Sequence, residues 1–291
     1  MANLKEIRSR ISSVGSTMQI TNAMKRVSAA KLKRAQDSIV QLRPYADKLR
    51  DILQNISSTL DSNVGGELTV QREVQKLLLV VLTSNRGLAG AFNSSIVKKT
   101  NSIIEEAKQK GIEVEVLTIG KKGFDFLKNT SKIYRNESHL WDDLKYESVA
   151  AISEEITEKF INAEFDEVRI VYNQFRNAAN QTVIDEHYLP VQIKTGDEVD
   201  ANVSTVDYIF EPSKEEIVTD LIPQTLKTQL YKAVLDSNAS EHGARMTAMH
   251  KATDNADTLR RELILHYNKA RQAAITNEIL EIVGGAEALD S

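Results

Sequence analysis

The apolar residues at the N-terminal end of the chain recur with the spacing of a coiled coil. From Leu4 onward they follow alternating steps of three and four through the first sixty residues, and polar residues enter this frame only at Thr21, Lys25 and Ser28. A sustained repeat of 3.5 residues predicts a helix that buries one narrow stripe against a partner helix. The pattern therefore predicts a long coiled-coil helix at the start of the chain.

The C-terminal end follows the same rule. Residues 238–283 contain no proline and a single glycine, Gly243. From Met249 the frame comprises Ala252, Ala256, Leu259, Leu263, His266, Ala270, Ala273, Asn277 and Leu280. We expect the two segments to pair with each other in antiparallel fashion, each about 70–85 Å long at ~1.5 Å per residue. A histidine at a seam position predicts that His266 marks the register of the pair.

The predicted ends and interruptions of these helices come from turn and capping residues. Residues 61–66 have turn composition and predict the end of the first helix. Ser213, with Glu216 three residues later, forms a capping box that predicts the start of the last helix. Pro44 and Pro223 lie inside the helical patterns, and each is predicted to kink or break its helix.

Between the two ends, short apolar runs alternate with helical patterns. A continuous apolar run at 76–83 predicts a strand that is buried on both faces. The remaining predicted elements are a helix at 93–110 ending at Gly111, a strand at 113–119, a short helix around 124–127, a helix at 146–163, a strand at 167–175, an edge strand at 180–187 and a polar loop at 194–207. Strand–helix–strand alternation predicts a parallel sheet with crossover helices.

The predicted fold class is therefore α/β: a long antiparallel coiled coil of the N- and C-terminal helices with an inserted Rossmann-like α/β domain. The predicted domains are an N-terminal coiled-coil helix at 1–61, the Rossmann-like domain at 70–207 and a C-terminal coiled-coil helix at 212–288.

Composition and charge narrow the possible functions. The chain has 291 residues and no cysteine, so disulfides, thiolate catalysis and cysteine metal sites are excluded. No stretch approaches the ~20 apolar residues of a membrane span, and the first residues lack the apolar core of a secretory signal. The net charge is −4, yet residues 1–50 carry eleven Lys or Arg and three acidic residues. This half of the predicted coil favours an acidic partner.

Candidate chemical motifs are weak. The segment 84–93 lies between a strand and a helix, where α/β proteins bind phosphates, but neither it nor 120–123 has a dinucleotide or Walker glycine pattern. We interpret both as tight turns. The five histidines have no metal-binding spacing, and Ser240, Glu241 and His242 point in different directions on a helix. The sequence thus predicts no catalytic site, no metal and no cofactor.

The best site candidate in the first helix is the basic run 24–34, which lies where the seam turns polar. The polar break and the uneven charge favour a docking surface over an ordinary solvated face. An RNA-binding helix would carry aromatic residues for base stacking, and residues 1–44 have none. A membrane-surface helix would carry Trp, Phe or Leu along its apolar face.

Four segments resemble one known family. They are ITNAMKRVSAAKLKRAQ at 20–36, SNRGLAGAFNSS at 84–95, SEHGARMTAMHKATDNA at 240–256 and YNKARQAAITNEILEIVGGAEAL at 267–289. With the order coil, α/β insert, coil, the whole chain resembles the gamma subunits of F-type ATP synthases. It departs slightly at Asn85 and Ala89, where family members often have Asp and Cys.

The resemblance implies a non-catalytic central rotor. Such a subunit stands inside a hexamer of three alpha and three beta subunits, and its α/β domain lies near the membrane c-ring and contacts the epsilon subunit. Its rotation couples ion flow to ATP synthesis or hydrolysis in the beta subunits. The resemblance fits a bacterial or an organellar host, and the lack of an obvious transit peptide and of an inserted redox cysteine pair favours a bacterial one. The expected location is therefore the cytoplasmic face of the bacterial plasma membrane, where the subunit would be peripheral, with no membrane span and no bound nucleic acid.

The resemblance also implies contact residues. Met24, Lys25 and Arg26 match the region that meets an acidic loop of beta. Family positions that hydrogen-bond a loop of one beta subunit are matched by Arg245, Gln272 and Thr276. The last turns are apolar on more faces than one partner helix can cover, which predicts a bearing tip in an apolar sleeve, formed by Ile275, Ile279, Leu280, Ile282 and Val283.

Two other functions fit parts of the sequence: a nucleotide-dependent enzyme with a Rossmann-like domain, and a basic coiled-coil protein that binds RNA or anionic membrane. Nucleotide binding by the segment 70–195 would support the first, and strongly salt-dependent RNA binding would support the second. Neither accounts for the C-terminal segments.

Overall fold

The computed structural model describes residues 4–57, 66–191 and 214–289. In chain order the elements are helix α1 (Leu4–Ser57), strand β1 (Lys76–Leu82), α2 (Phe92–Gln109), β2 (Glu113–Ile119), α3 (Lys121–Leu127), β3 (Lys132–Asn136), α4 (Tyr146–Ile161), β4 (Glu167–Phe175), β5 (Gln181–Leu189) and α5 (Lys214–Leu289). The chain divides into a smaller unit, Met1–Ser28 with Arg245–Ser291, and a larger unit, Ala29–Ala244.

Helix α1 buries the stripe that the heptad frame predicts. The side chains in the frame are buried or half-buried from Leu4 to Leu49, while most of their neighbours are exposed. The buried members are Ile7, Thr21, Ser28, Leu32, Ala35, Ile39, Ala46 and Leu49. The prediction for the first helix is therefore confirmed over this range.

Hydrogen bonds join α1 to α5 in each unit. In the smaller unit the hydroxyl oxygens of Thr21 and Thr253 lie 2.7 Å apart. In the larger unit Gln224 Nε2 donates to the hydroxyl of Tyr45 at 2.8 Å. Two residues earlier on α1, the positive charge of Arg43 acts to lower the pKa of Asp236 on α5. In the larger unit residue numbers therefore rise along α1 as they fall along α5, which is the antiparallel pairing that was predicted.

The predicted frame of α5 is partly wrong. Ala256, Leu263 and Ala270, seven residues apart, are half-buried as predicted, but Leu259 is 47% exposed and His266 is also exposed. The second buried column lies one residue later, for example at Tyr267. Bulky residues favour both columns, since Leu259 lies in one and Tyr267 in the other. The last three residues of the predicted frame are exposed as well: Ala273, Asn277 and Leu280. His266 does not mark the register; the bonded pair Thr21–Thr253 provides a polar contact within the seam.

The two prolines do not end their helices. Helix α1 continues through Pro44 and α5 continues through Pro223, so neither proline breaks its helix, and a kink stays a prediction. A proline removes one backbone hydrogen bond at a cost of about 3 kcal/mol, which the packing of a long helix can offset. The cap at Ser213, the loop at 194–207 and all but the last residue of the turn at 61–66 lie outside the described residues.

The larger unit contains a five-stranded sheet in the order β3-β2-β1-β4-β5. The first four strands are parallel, and β5 pairs with β4 as an antiparallel edge strand, as predicted. Strand β3 was not predicted, because its short sequence KIYRN has no fully buried residue and lacks an apolar run.

Each face of the sheet has its own apolar cluster. On one face, Val80 and Leu82 belong to a cluster with residues of α4 and α5, including Ile156 and Leu230. On the other face, β1 packs against α2, whose inward residues Ile96, Ile103, Ile104 and Ala107 are buried as predicted. Helix α2 is followed by Gly111, whose positive φ of 76° suits a glycine at this end.

Candidate partner-binding surfaces and the carboxyl edge of the sheet

Two of the three polar residues of the N-terminal seam face the partner helix. Thr21 and Ser28 are 9% and 3% exposed, and Thr21 Oγ1 is bonded to Thr253. These two residues therefore do not indicate docking, and the docking surface at 24–34 stays a prediction that rests on the uneven charge. Between these residues, Met24 and Lys25 are half-buried and Arg26 is exposed.

The outward face of the same segment combines apolar and basic side chains. Ile20 is 61% exposed and Val27 is 57% exposed. They are seven residues apart and share a face, and Arg26 lies beside Val27. An exposed apolar pair next to a cation suits a protein partner better than water. The heptad analysis missed this pair because it followed only the buried stripe.

The structure does not bring Arg245, Gln272 and Thr276 together. Gln272 and Thr276 are exposed one turn apart, and Thr276 Oγ1 donates to the backbone oxygen of Gln272 at 3.0 Å. Arg245 is only 7% exposed, and 27 residues of helix place it about 40 Å from Gln272. The exposed arginine beside Gln272 is Arg271, which the sequence analysis did not select.

The predicted bearing tip is fully accessible in the chain. All residues from 271 to 286 are exposed. At ~100° per residue, its five apolar side chains span an arc of about 160° around α5. Their exposed fractions are Ile275 49%, Ile279 54%, Leu280 63%, Ile282 66% and Val283 55%.

No helix in the described part of the chain combines the length and the apolar character that a membrane span requires.

The carboxyl edge of the sheet holds α5 where α/β proteins usually bind ligands. Chain order reverses between β1 and β4, and the crevice beyond their carboxyl ends is the usual ligand position. Here Ser240 Oγ donates to the backbone oxygen of Asn173 in β4 at 2.9 Å. Ala244 joins the cluster that contains Ala89 and Phe92, just beyond β1. The chain's own helix occupies this position, which argues against the nucleotide-dependent enzyme.

The turns that follow β1 and β2 use their backbone donors within the protein. Ser84 N donates to Asn93 Oδ1 at 3.0 Å, and Gly123 N donates to Thr83 Oγ1 at 2.8 Å. At Gly120, with φ of 126°, an added Cβ would lie 2.0 Å from the carbonyl oxygen of Thr83. These contacts fit tight, closely packed turns and leave these amides unable to cradle a phosphate.

Two buried carboxyl groups have strongly shifted pKa values. For Asp236, burial raises the pKa to about 6, although Arg43 and Lys232 act in the opposite direction. For Glu167, burial raises the pKa, but hydrogen bonds from His187 and Arg169 outweigh it and hold the value at about 2. Neither belongs to a metal cluster: within residues 4–57, 66–191 and 214–289 no group of His, Asp and Glu could hold a metal ion.

Comparison with known proteins identifies the family. A family model described as ATP synthase matches residues 3–289. The ATP synthase gamma chain of Flavobacterium johnsoniae is 61% identical over 291 residues and covers all of both chains. The chain belongs to the ATP synthase gamma chain family. The gamma chain of Cytophaga hutchinsonii is 50% identical, again over all of both chains.

A solved structure agrees with this assignment. The central stalk and c-ring structure of the Tetrahymena thermophila mitochondrial ATP synthase contains a chain that is 26% identical, with a TM-score of 0.59. The match covers 80% of this chain and 99% of that one. The gamma chain is the central-stalk rotor subunit of a membrane-associated ATP synthase and is not catalytic by itself.

Proposed function

We propose that this gamma chain turns inside a hexamer of alpha and beta subunits and couples ion flow through the membrane c-ring to ATP synthesis or hydrolysis at the beta subunits. Identity of 61% to a gamma chain over the full length carries this proposal. Bacterial relatives of the same length support a peripheral position on the cytoplasmic face of the plasma membrane. The α/β domain at 70–207 would contact epsilon and lie near the c-ring, and the helices at 1–61 and 212–288 would form the shaft.

The two unlike helices explain how one chain could act differently on three beta subunits. A pair of unlike helices presents a different face to each surrounding subunit, so each orientation favours a different state of each catalytic site. The exposed Arg26, with the half-buried Met24 and Lys25, would meet an acidic loop of beta. Ile20 and Val27 are exposed in the same segment and would add apolar contact.

Near the end of α5, the exposed polar residues and the exposed apolar residues would have two different roles. Gln272 and Thr276 would hydrogen-bond a beta loop, which gives directional contact. The apolar arc from Ile275 to Val283 would turn within an apolar sleeve, since apolar contacts are non-directional. Arg245 is buried within the chain, so a contact with beta would come in addition to its role in packing.

Co-purification tests the proposal. A tagged full-length chain, expressed in its host, is expected to recover alpha, beta and epsilon subunits with ATPase activity, and inverted vesicles are expected to pump ions on ATP addition. A matched chain that ends before Ile275 removes the bearing tip and should weaken retention of the hexamer. Recovery of the chain alone, without alpha and beta, would contradict the proposal.

A further inference from the structure

Helix α5 packs against the carboxyl end of the sheet between Ser240 and Ala244. Ser240 is fully buried, and its hydroxyl donates to the backbone oxygen of Asn173, which is 1% exposed. At Gly243 an added Cβ would lie 3.3 Å from the Cα of Ala178, in the turn between β4 and β5. The backbone of α5 therefore rests against the sheet with almost no side chain between them.

The bond from Ser240 continues into the sheet. Asn173 Nδ2 donates to the backbone oxygen of Phe92, the first residue of α2, at 3.1 Å. The hydroxyl of one α5 residue is thus connected through β4 to a second helix. Several residues near Ser240 on α5 are small, and Ala239 and Ala244 are buried and apolar. Apolar contacts are non-directional and alone do little to prevent α5 from sliding or turning against the sheet. A buried hydrogen bond is directional.

A second tie lies on the same face of α5. Gln229 Nε2 donates to Glu186 Oε1 at 2.8 Å and to the backbone oxygen of His187 at 3.2 Å. Gln229 and Ser240 are eleven residues apart, which is about three full turns, so both point toward the sheet. Two ties on one face, about 16 Å apart along the axis, oppose rotation of the helix about that axis.

We propose that Ser240 is a positioning residue that fixes α5 against the sheet, so that α5 and the α/β domain turn together when torque passes between them. This inference rests on the proposed rotor function. Thr228 provides a matched control on the same helix: it is 2% exposed, but its hydroxyl donates to the backbone oxygen of Gln224 within α5. Removing that hydroxyl deletes a buried bond without touching the sheet.

Single-molecule rotation tests directly whether Ser240 fixes α5 against the sheet. The complex is fixed by its hexamer, and a bead is attached to the α/β domain through Lys108→Cys, an exposed site in a chain without native cysteine. The angular spread of the bead during pauses measures how rigidly the domain follows the shaft. Ser240→Ala is expected to widen this spread, and Thr228→Val is expected to leave it unchanged. If Ser240→Ala does not assemble, Gln229→Leu replaces it.

Hydrogen exchange on the full-length chain provides the second measurement. Ser240→Ala is expected to raise local opening of the amides at 173–178 about tenfold, a factor that corresponds to ~1.4 kcal/mol, the scale of one buried hydrogen bond. Thr228→Val should leave these amides unchanged.

An unchanged angular spread in Ser240→Ala, or in Gln229→Leu where that variant is used, overturns the inference. Faster exchange at 173–178 with an unchanged spread overturns it as well, since Ser240 would then only stabilise the fold. Failure of the unmutated chain to turn the bead with ATP would contradict the proposed function itself, a separate outcome.

Discussion

Replacing Asp236 by asparagine is expected to stabilise the larger unit at neutral and alkaline pH. Asp236 is 1% exposed, and its Oδ1 has no hydrogen-bond partner in the described part of the chain. Burial raises the pKa to about 6, and Glu186 adds to the rise; Arg43, Lys232 and the backbone N–H of Phe175 lower it only in part. The ionised form is therefore penalised in the folded chain.

The pKa difference sets the size and the pH range of the effect. The pKa rises from an ordinary value of 3.8 to about 6. A difference of ~2 in pKa between the unfolded and the folded chain corresponds to about 3 kcal/mol of folding free energy. The folded chain keeps the proton up to about pH 6, whereas the unfolded chain loses it near pH 4, so the penalty grows between these values and is complete above them. Asparagine carries no charge at any of these pH values and avoids the penalty.

Native-state hydrogen exchange of the α5 amides between 230 and 240 measures the effect in the full-length chain. Relative to the unmutated protein, Asp236→Asn should raise the opening free energy by up to about 3 kcal/mol at pH ~8 and by almost nothing at pH ~4. Asp220→Asn, at an exposed position of the same helix, is the matched control and should show little change at either pH. An Asp236→Asn gain of equal size at both pH values, or a loss at pH ~8, would refute the reasoning.

Lys25→Glu combined with Arg26→Glu is expected to lower ion pumping per ATP hydrolysed in inverted vesicles, because it reverses the charge facing an acidic loop; an unchanged ratio in intact complexes would contradict this. Gln272→Leu is expected to cut the steady-state ATPase rate of assembled complexes, since a lost buried hydrogen bond costs about 1–3 kcal/mol. Ile279→Leu keeps its volume, costs less than about 1.5 kcal/mol and should be nearly silent; equal losses would show that the tip carries torque. Glu167→Gln is expected to destabilise the chain by up to about 3 kcal/mol above pH ~4.5 and by little below pH ~2, because a lowered pKa gives stability that is lost as the pH falls; thermal unfolding across this range measures it.

The elements that the sequence predicts well are those whose pattern alone determines burial. The frame from Leu4 to Leu49 is confirmed because every step except Lys25 places an apolar or small side chain on one stripe. Strand β1 was predicted correctly because a run that is apolar after Lys76 fits a strand covered on both faces. In α5 the same rule misplaced Leu259 and His266, since Leu259 favours one column of residues and Tyr267 favours the next.

The candidate sites were harder to predict from the sequence than the fold, because tertiary contacts determine which residues come together. The resemblance placed Arg245 and Gln272 in one group, but about 40 Å of helix separates them. In addition, Arg245 is buried whereas Gln272 is exposed. The bond from Ser240 to Asn173 joins residues 67 positions apart, so no local pattern reveals it. The exposed pair of Ile20 and Val27 was visible in the sequence, but only on a face that the coiled-coil analysis does not follow.

The pairing of Thr21 with Thr253 has a consequence for synthesis of the chain. The two residues are 232 positions apart, so at ~5–20 residues per second the ribosome needs roughly 10–50 s after making the first before it makes the second. Through that interval the N-terminal part of α1 has left the ribosome with its apolar stripe uncovered, while the parallel sheet between them is still being built. The stripe can be covered only once the last helix has been made, so this interval is when a newly made chain is most exposed to aggregation.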